Sequence, residues 1–139
     1  MISKFKRITI GAILRIDLGD GFYNYARILP NAHYAFYDSL SKNEMSIPDI
    51  IKLPVLFIVS VYNDVITSGR WRIVGQEQLE SFLEVLPLQF IQDALNPSSF
   101  ELMDSNTGKI SKANKKDCIG FERAAVWDAI HVEQRIRDH

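Results

Sequence analysis

The chain has 139 residues, 47% of them apolar, and a formal net charge of −1. That is enough for one domain with its own core and short for two. The balanced charge lacks the strong basic excess of general nucleic-acid or membrane binders, and a single cysteine, Cys118, excludes an internal disulfide.

Met1–Arg7 (MISKFKR) is basic, but a strand pattern follows at once where a signal peptide would place its apolar region and cleavage site. Ile8, Ile10, Ala12, Leu14, Ile16 and Leu18 alternate with Thr9, Gly11, Arg15 and Asp17, the period of a strand with one buried face. Gly19-Asp20-Gly21 supplies the positive-φ residues of a hairpin turn. Phe22–Leu29 returns, Pro30-Asn31 breaks, and His33–Asp38 (HYAFYD) continues. The chain therefore opens as an antiparallel meander. Ser39–Ile47 is polar and reads as a loop, and Pro48–Lys52 as a helical turn with proline at its first position. Val55–Val61 is a β-branched run that predicts a strand buried on both faces. The longer apolar run around it, Leu53–Val61, is broken by Pro54 and Ser60 and falls far short of the roughly 20 residues that cross a bilayer.

Asn63-Asp64 turns the chain into Arg70–Val74, a short strand with Trp71 and Ile73 on one side. The period then changes. Leu79, Phe82, Leu83 and Leu86 share one face of a helix over 76–86, stopped by Pro87. Leu88–Leu95 is ambiguous between the two periods. Phe100 and Leu102 alternate with Glu101 and Met103 before the turn Asp104–Gly108, and Ile110 starts the return strand. Lys112–Asp117 reads as a mobile surface loop. Glu122–Arg137 predicts a second helix with Ala125, Val126, Ala129, Ile130 and Ile136 on its apolar face and a Glu133–Arg137 pair. Its first part, Val126–Ile130, reads equally as a final strand. The class is α+β: a meander or partly closed sheet in the N-terminal half, with one or two packed helices, in one domain over residues 1–139.

No motif here carries chemistry. His33, His131 and His139 lack a His or Cys partner at metal-ligand spacing. Cys118, His131 and an aspartate make a triad only on paper, because no nucleophile signature surrounds the thiol. Gly19-Asp20-Gly21 lacks the third glycine, the lysine and the helix of a phosphate loop. Asp17 with Asp20, and Glu101 with Asp104, are turn-flanking acids that read as solvated. The chain is expected to be no enzyme and to need no metal or cofactor.

Two binding readings remain. Lys109, Lys112, Lys115 and Lys116, with Lys4, Lys6 and Arg7, could join Tyr23, Tyr25, Tyr34 and Tyr37 in a small β-rich nucleic-acid module. The same tyrosines could instead anchor a protein partner, since tyrosine buries much area with few rotatable bonds. Asp17, Asp20, Asp38 and Asp64 would then rim them and favour a basic partner.

Ile16–Leu29 reads IDLGDGFYNYARIL, and YAFYD follows at Tyr34–Asp38. With Trp71–Gly75 (WRIVG) and the tail Ala124–Glu133 (AAVWDAIHVE), the chain resembles the immunity protein 26 family of bacterial polymorphic-toxin systems. The resemblance implies a cytoplasmic α+β antitoxin that binds a cognate toxin domain and protects the cell, with no catalytic residues and no cofactor. The reducing cytoplasm also fits a chain without disulfides. One departure is charge. Immunity proteins against basic nucleases are often acidic, and this chain is nearly neutral.

Overall fold

The computed structural model describes residues 7–139. Lys4 and Lys6 lie outside them. The first strand, β1, spans Ala12–Gly19 and so starts later than the alternation suggests. Gly11 has φ of 91°, and Ile8 and Ile10 are 41% and 53% exposed. The left-handed glycine ends the extended run before the two isoleucines can join it. Asp20 at φ 54°, between Gly19 and Gly21 at 84° and 80°, makes the predicted turn into β2 (Phe22–Ile28). β3 (His33–Tyr37) and β4 (Val55–Val61) complete an antiparallel meander, with α1 (Ile47–Ile50) between them.

After the single turn α2 (Asp64–Thr67), β5 (Arg72–Gln76) pairs with the free edge of β1. A second single turn, α3 (Ser81–Glu84), leads into β6 (Gln89–Gln92), β7 (Phe100–Asp104) and β8 (Lys109–Ala113). A 3-10 turn at Lys115–Cys118 precedes β9 (Glu122–Arg123), β10 (Val126–Trp127) and α4 (Ala129–Asp138). The described strands form two open sheets, ordered β10-β4-β3-β2-β1-β5 and β8-β7-β6-β9. The α+β class is as expected, and neither sheet closes into a barrel.

Both faces of the larger sheet are covered. On one, Leu14, Ile16, Ala26, Ile28, Tyr34 and Phe36 pack with Trp71 and with Val132 and Ile136 of α4. On the other, Ile13, Tyr25 and Tyr37 pack with Ile50 of α1, while Leu29 and Ala35 pack with Leu83 and Leu86 of the α3 segment. All five residues of β3 are therefore buried. β4 alternates instead, with Phe57, Val59 and Val61 buried and the residues between them partly covered.

Three local expectations change. The helix over 76–86 shrinks to α3, because Glu80 before it is extended at ψ 150° and Val85 after it at ψ 119°. Leu83 and Leu86 go inside, but Phe82 is 60% exposed. Lys112–Asp117 is no simple loop: Lys112 ends in β8, and Asn114 caps the following turn by donating its N–H to Asp117 at 2.9 Å. Glu122–Arg137 contains two strand pairings, with α4 starting only at Ala129. Glu133 there does not meet Arg137. Its carboxylate takes Arg70, and Arg137 donates to the Leu18 carbonyl at 2.9 Å.

Candidate binding surface

The predicted tyrosine cluster does not form a surface. Tyr25, Tyr34 and Tyr37 are 1%, 0% and 0% exposed. Neighbours on β2 and β3 project to opposite faces, and both faces are packed, so either orientation leads inward. Their hydroxyls serve the fold. Tyr25 accepts the Met45 N–H at 2.9 Å, Tyr34 donates to Asn63 at 2.8 Å, and Tyr37 accepts from Arg27 at 3.2 Å. Burial, with Asp64 adding to it, pushes the Tyr34 phenol well above its ordinary range. Burial also raises the Tyr37 phenol, against the pull of Arg27. Both phenols stay protonated and available as donors. None of these three rings can stack on a base or enter a partner's pocket while the sheet is intact. Tyr23 alone is only partly buried, with the Arg15 guanidinium 4.8 Å from its ring centre and Glu44 paired to that arginine.

The acids fare differently. Asp17, Asp20 and Asp38 are all exposed. Pairing of Asp17 with Tyr23 and of Ala26 with Phe36 brings all three to one end of the larger sheet. Asp17 there accepts the Gly19 N–H at 2.9 Å, and His139 lies 3.9 Å from Asp38. Asp64 stands at the other end, at the start of α2 beyond β4. α4 runs between the two ends, since Trp127 before it accepts from Tyr62 and Arg137 in its last turn reaches Leu18.

Reasoning from sequence missed the arginine that holds the α3 segment. Arg27 has a fully buried side chain. Its Nε donates to the Gly11 carbonyl at 3.2 Å and Nη1 to the Glu80 carboxylate at 3.0 Å. Nη2 donates to the carbonyls of Glu77 and Gln78 at 2.9 and 3.3 Å. A buried guanidinium is costly unless its donors are filled, and here five donors in a fixed fork meet fixed acceptors. Gly11 completes the junction, because a Cβ there would strike the Glu77 carbonyl. At the far end of the segment, the Asn106 side chain accepts the Leu86 N–H and donates to the Leu86 carbonyl, both at 2.8 Å. The signal for Arg27 was its place in the Y-x-R-I-L run, but nothing in the sequence says that it points inward.

Two cavities among the described residues are open and shallow. One of about 410 Å³ lies against Ile91, Gln92 and Arg123, and one of about 200 Å³ beside Arg15, Tyr25 and Met45. Among the described residues no group of three or more His, Cys, Asp or Glu is placed to hold a metal. Cys118 is buried with its thiol toward the Asn114 carbonyl at 3.5 Å, and His131 stands 3.9 Å from Asp128. No described hydrogen bond joins that thiol to that histidine. No helix among the described residues is long and apolar enough to cross a membrane.

Open sheets, two packed faces and exposed charged ends define an α+β protein whose accessible chemistry lies on its outer surface. The family model of immunity protein 26 matches residues 9–101, well over half of the chain. The chain belongs to the immunity protein 26 family, as its N-terminal motifs indicate. No curated protein and no solved structure matches it.

Proposed function

We propose that this chain is the antitoxin of a bacterial polymorphic-toxin pair. It binds one cognate toxin domain in the cytoplasm and neutralises it by occlusion, as a single α+β domain over residues 1–139, with no catalysis and no cofactor. The observation that carries this reading is the family match over residues 9–101. The fold supports it. A sheet packed on both faces is rigid, so little conformational freedom is lost when it docks. Asp17, Asp20 and Asp38, together at one end, add a negative field that speeds encounter with a basic toxin surface. Tyr23, the one tyrosine of the four with appreciable exposed area, stands beside them under the Arg15 guanidinium, so this end steers the approach rather than supplying the anchors.

The test is growth rescue. Each open reading frame beside this gene is induced alone and with this chain. Rescue by one of them, with a one-to-one complex on a sizing column, is the expected result. No toxic neighbour and no rescue would overturn the reading. Retention on heparin with release by salt would then favour the nucleic-acid module.

A further inference from the structure

The near-neutral net charge hides a segregated chain. Between Arg72 and Lys109 there is no Lys, Arg or His, while Glu77, Glu80, Glu84, Asp93, Glu101 and Asp104 all fall there. At the head of this stretch the α3 segment carries two large apolar residues outward. Phe82 is 60% exposed and Val85 68%, while Leu83 and Leu86 beside them are 0% and 3% exposed. Glu80 is matched by Arg27. Glu77 and Glu84 are exposed and form no ion pair among the described residues.

We propose that this crest, Phe82 and Val85 flanked by Glu77 and Glu84, is the docking surface for the toxin, and that its occupant is a cationic toxin surface with an apolar recess. This rests on the antitoxin reading. Three observations converge on it. The crest is negative with no cation of its own segment to balance it, so a positive partner surface is its complement. Its apolar side chains are raised above a base clamped at both ends, by buried Arg27 on Glu77, Gln78 and Glu80 and by Asn106 on Leu86. A segment held in this way presents its anchors with little ordering cost. The third is position: the crest lies within the part of the chain that matches the family.

A competing patch exists at the α4 start, where Tyr62 is 53% exposed and Ile130 63%. It is less suited to a cation, because Arg70 and His131 share its concavity with Asp64 and Asp128.

The experiment uses the full chain and the adjacent gene product whose toxicity it relieves. Affinity and association rate are measured for wild type, Phe82→Ala/Val85→Ala, Glu77→Lys/Glu84→Lys, and Tyr62→Ala/Ile130→Ala, each first shown to keep the wild-type melting transition. The alanine crest variant should weaken binding by at least about thirtyfold, as for an anchor pair. The lysine variant should slow association, most strongly at low salt. The Tyr62/Ile130 variant should bind as wild type does. If wild type rescues and binds but the crest variants stay within about threefold of it, the docking surface is overturned and the antitoxin reading stands. If wild type itself relieves no neighbour's toxicity, both fall together.

Discussion

Trp71 donates its indole N–H to Glu133 at 3.0 Å, and Arg70, the residue before it, closes a two-pronged ion pair on the same carboxylate at 2.9 and 3.0 Å. Burial alone would raise the pKa of Glu133. Hydrogen bonds from Arg70 and Trp71 outweigh it and hold the carboxyl below its ordinary 4.5. A carboxyl with a depressed folded value stabilises the fold above its unfolded value, and that contribution is lost as pH falls through the folded one. The melting-temperature gap between wild type and Glu133→Gln should therefore be full near pH 7 and close below about pH 4. A gap that stayed constant across that range would show that the charge of Glu133 contributes nothing. Glu133→Ala, which strands the buried indole donor, should cost about 2–4 kcal/mol in urea unfolding at neutral pH.

Arg27 predicts a substitution that looks mild and is not. Lysine at this position would offer one compact head where the fork now fills acceptors on Gly11, Tyr37, Glu77, Gln78 and Glu80. Arg27→Lys should cost about 2–4 kcal/mol and loosen the α3 segment before the rest of the fold. A glutamate-specific protease should then cut after Glu77 and Glu80 faster than in wild type, under conditions where the melting transition is still two-state. Equal cleavage rates would mean that Leu83 and Leu86 hold the segment without the arginine.

The meander was legible because turn chemistry and strand period agree there. Gly19-Asp20-Gly21 and Pro30-Asn31 mark its turns, and the runs between them have strand composition. Which side chains face water was not legible. A period of two reports burial only when one face is wet, and on β2 and β3 both faces are packed by segments far away in sequence. This moved Tyr25, Tyr34 and Tyr37 from an expected surface into the core. The helix over 76–86 failed for a related reason. Leu79, Leu83 and Leu86 do approach the core, but the chain reaches it as an extended strap hung on Arg27 rather than as three helical turns. In the tail, both readings of 126–130 were half right, since Val126 and Trp127 pair with β4 and the helix begins two residues later.

Cys118 gives a direct check on the non-catalytic reading. Its side chain is 5% exposed and turned toward the Asn114 carbonyl. A buried thiol in a small capped turn reacts slowly and packs as a small apolar group. An aromatic disulfide reagent should leave native protein unlabelled and label it fully in urea. Cys118→Ser should cost under about 1.5 kcal/mol and keep full growth rescue. Loss of rescue without unfolding would instead assign the thiol a chemical role.

The two tryptophans should separate in both energy and light. Trp71 is fully buried, with its ring edge-on to Tyr34 at 6.0 Å and to Phe36 at 5.5 Å. Its removal opens a cavity between the sheet and α4, so Trp71→Ala should cost about 3–5 kcal/mol. Trp127 sits on the short edge strand β10, only partly covered, with Arg135 5.3 Å from its ring centre. Less area is lost there and water can fill the gap, so Trp127→Ala should cost about half as much. Emission of the Trp127→Phe variant, which reports Trp71, should be blue-shifted and resist acrylamide quenching until the protein unfolds. Emission of the Trp71→Phe variant, which reports Trp127, should be redder and quench readily in the native state. Equal quenching in the two variants would contradict the packing of Trp71 against Tyr34 and Phe36.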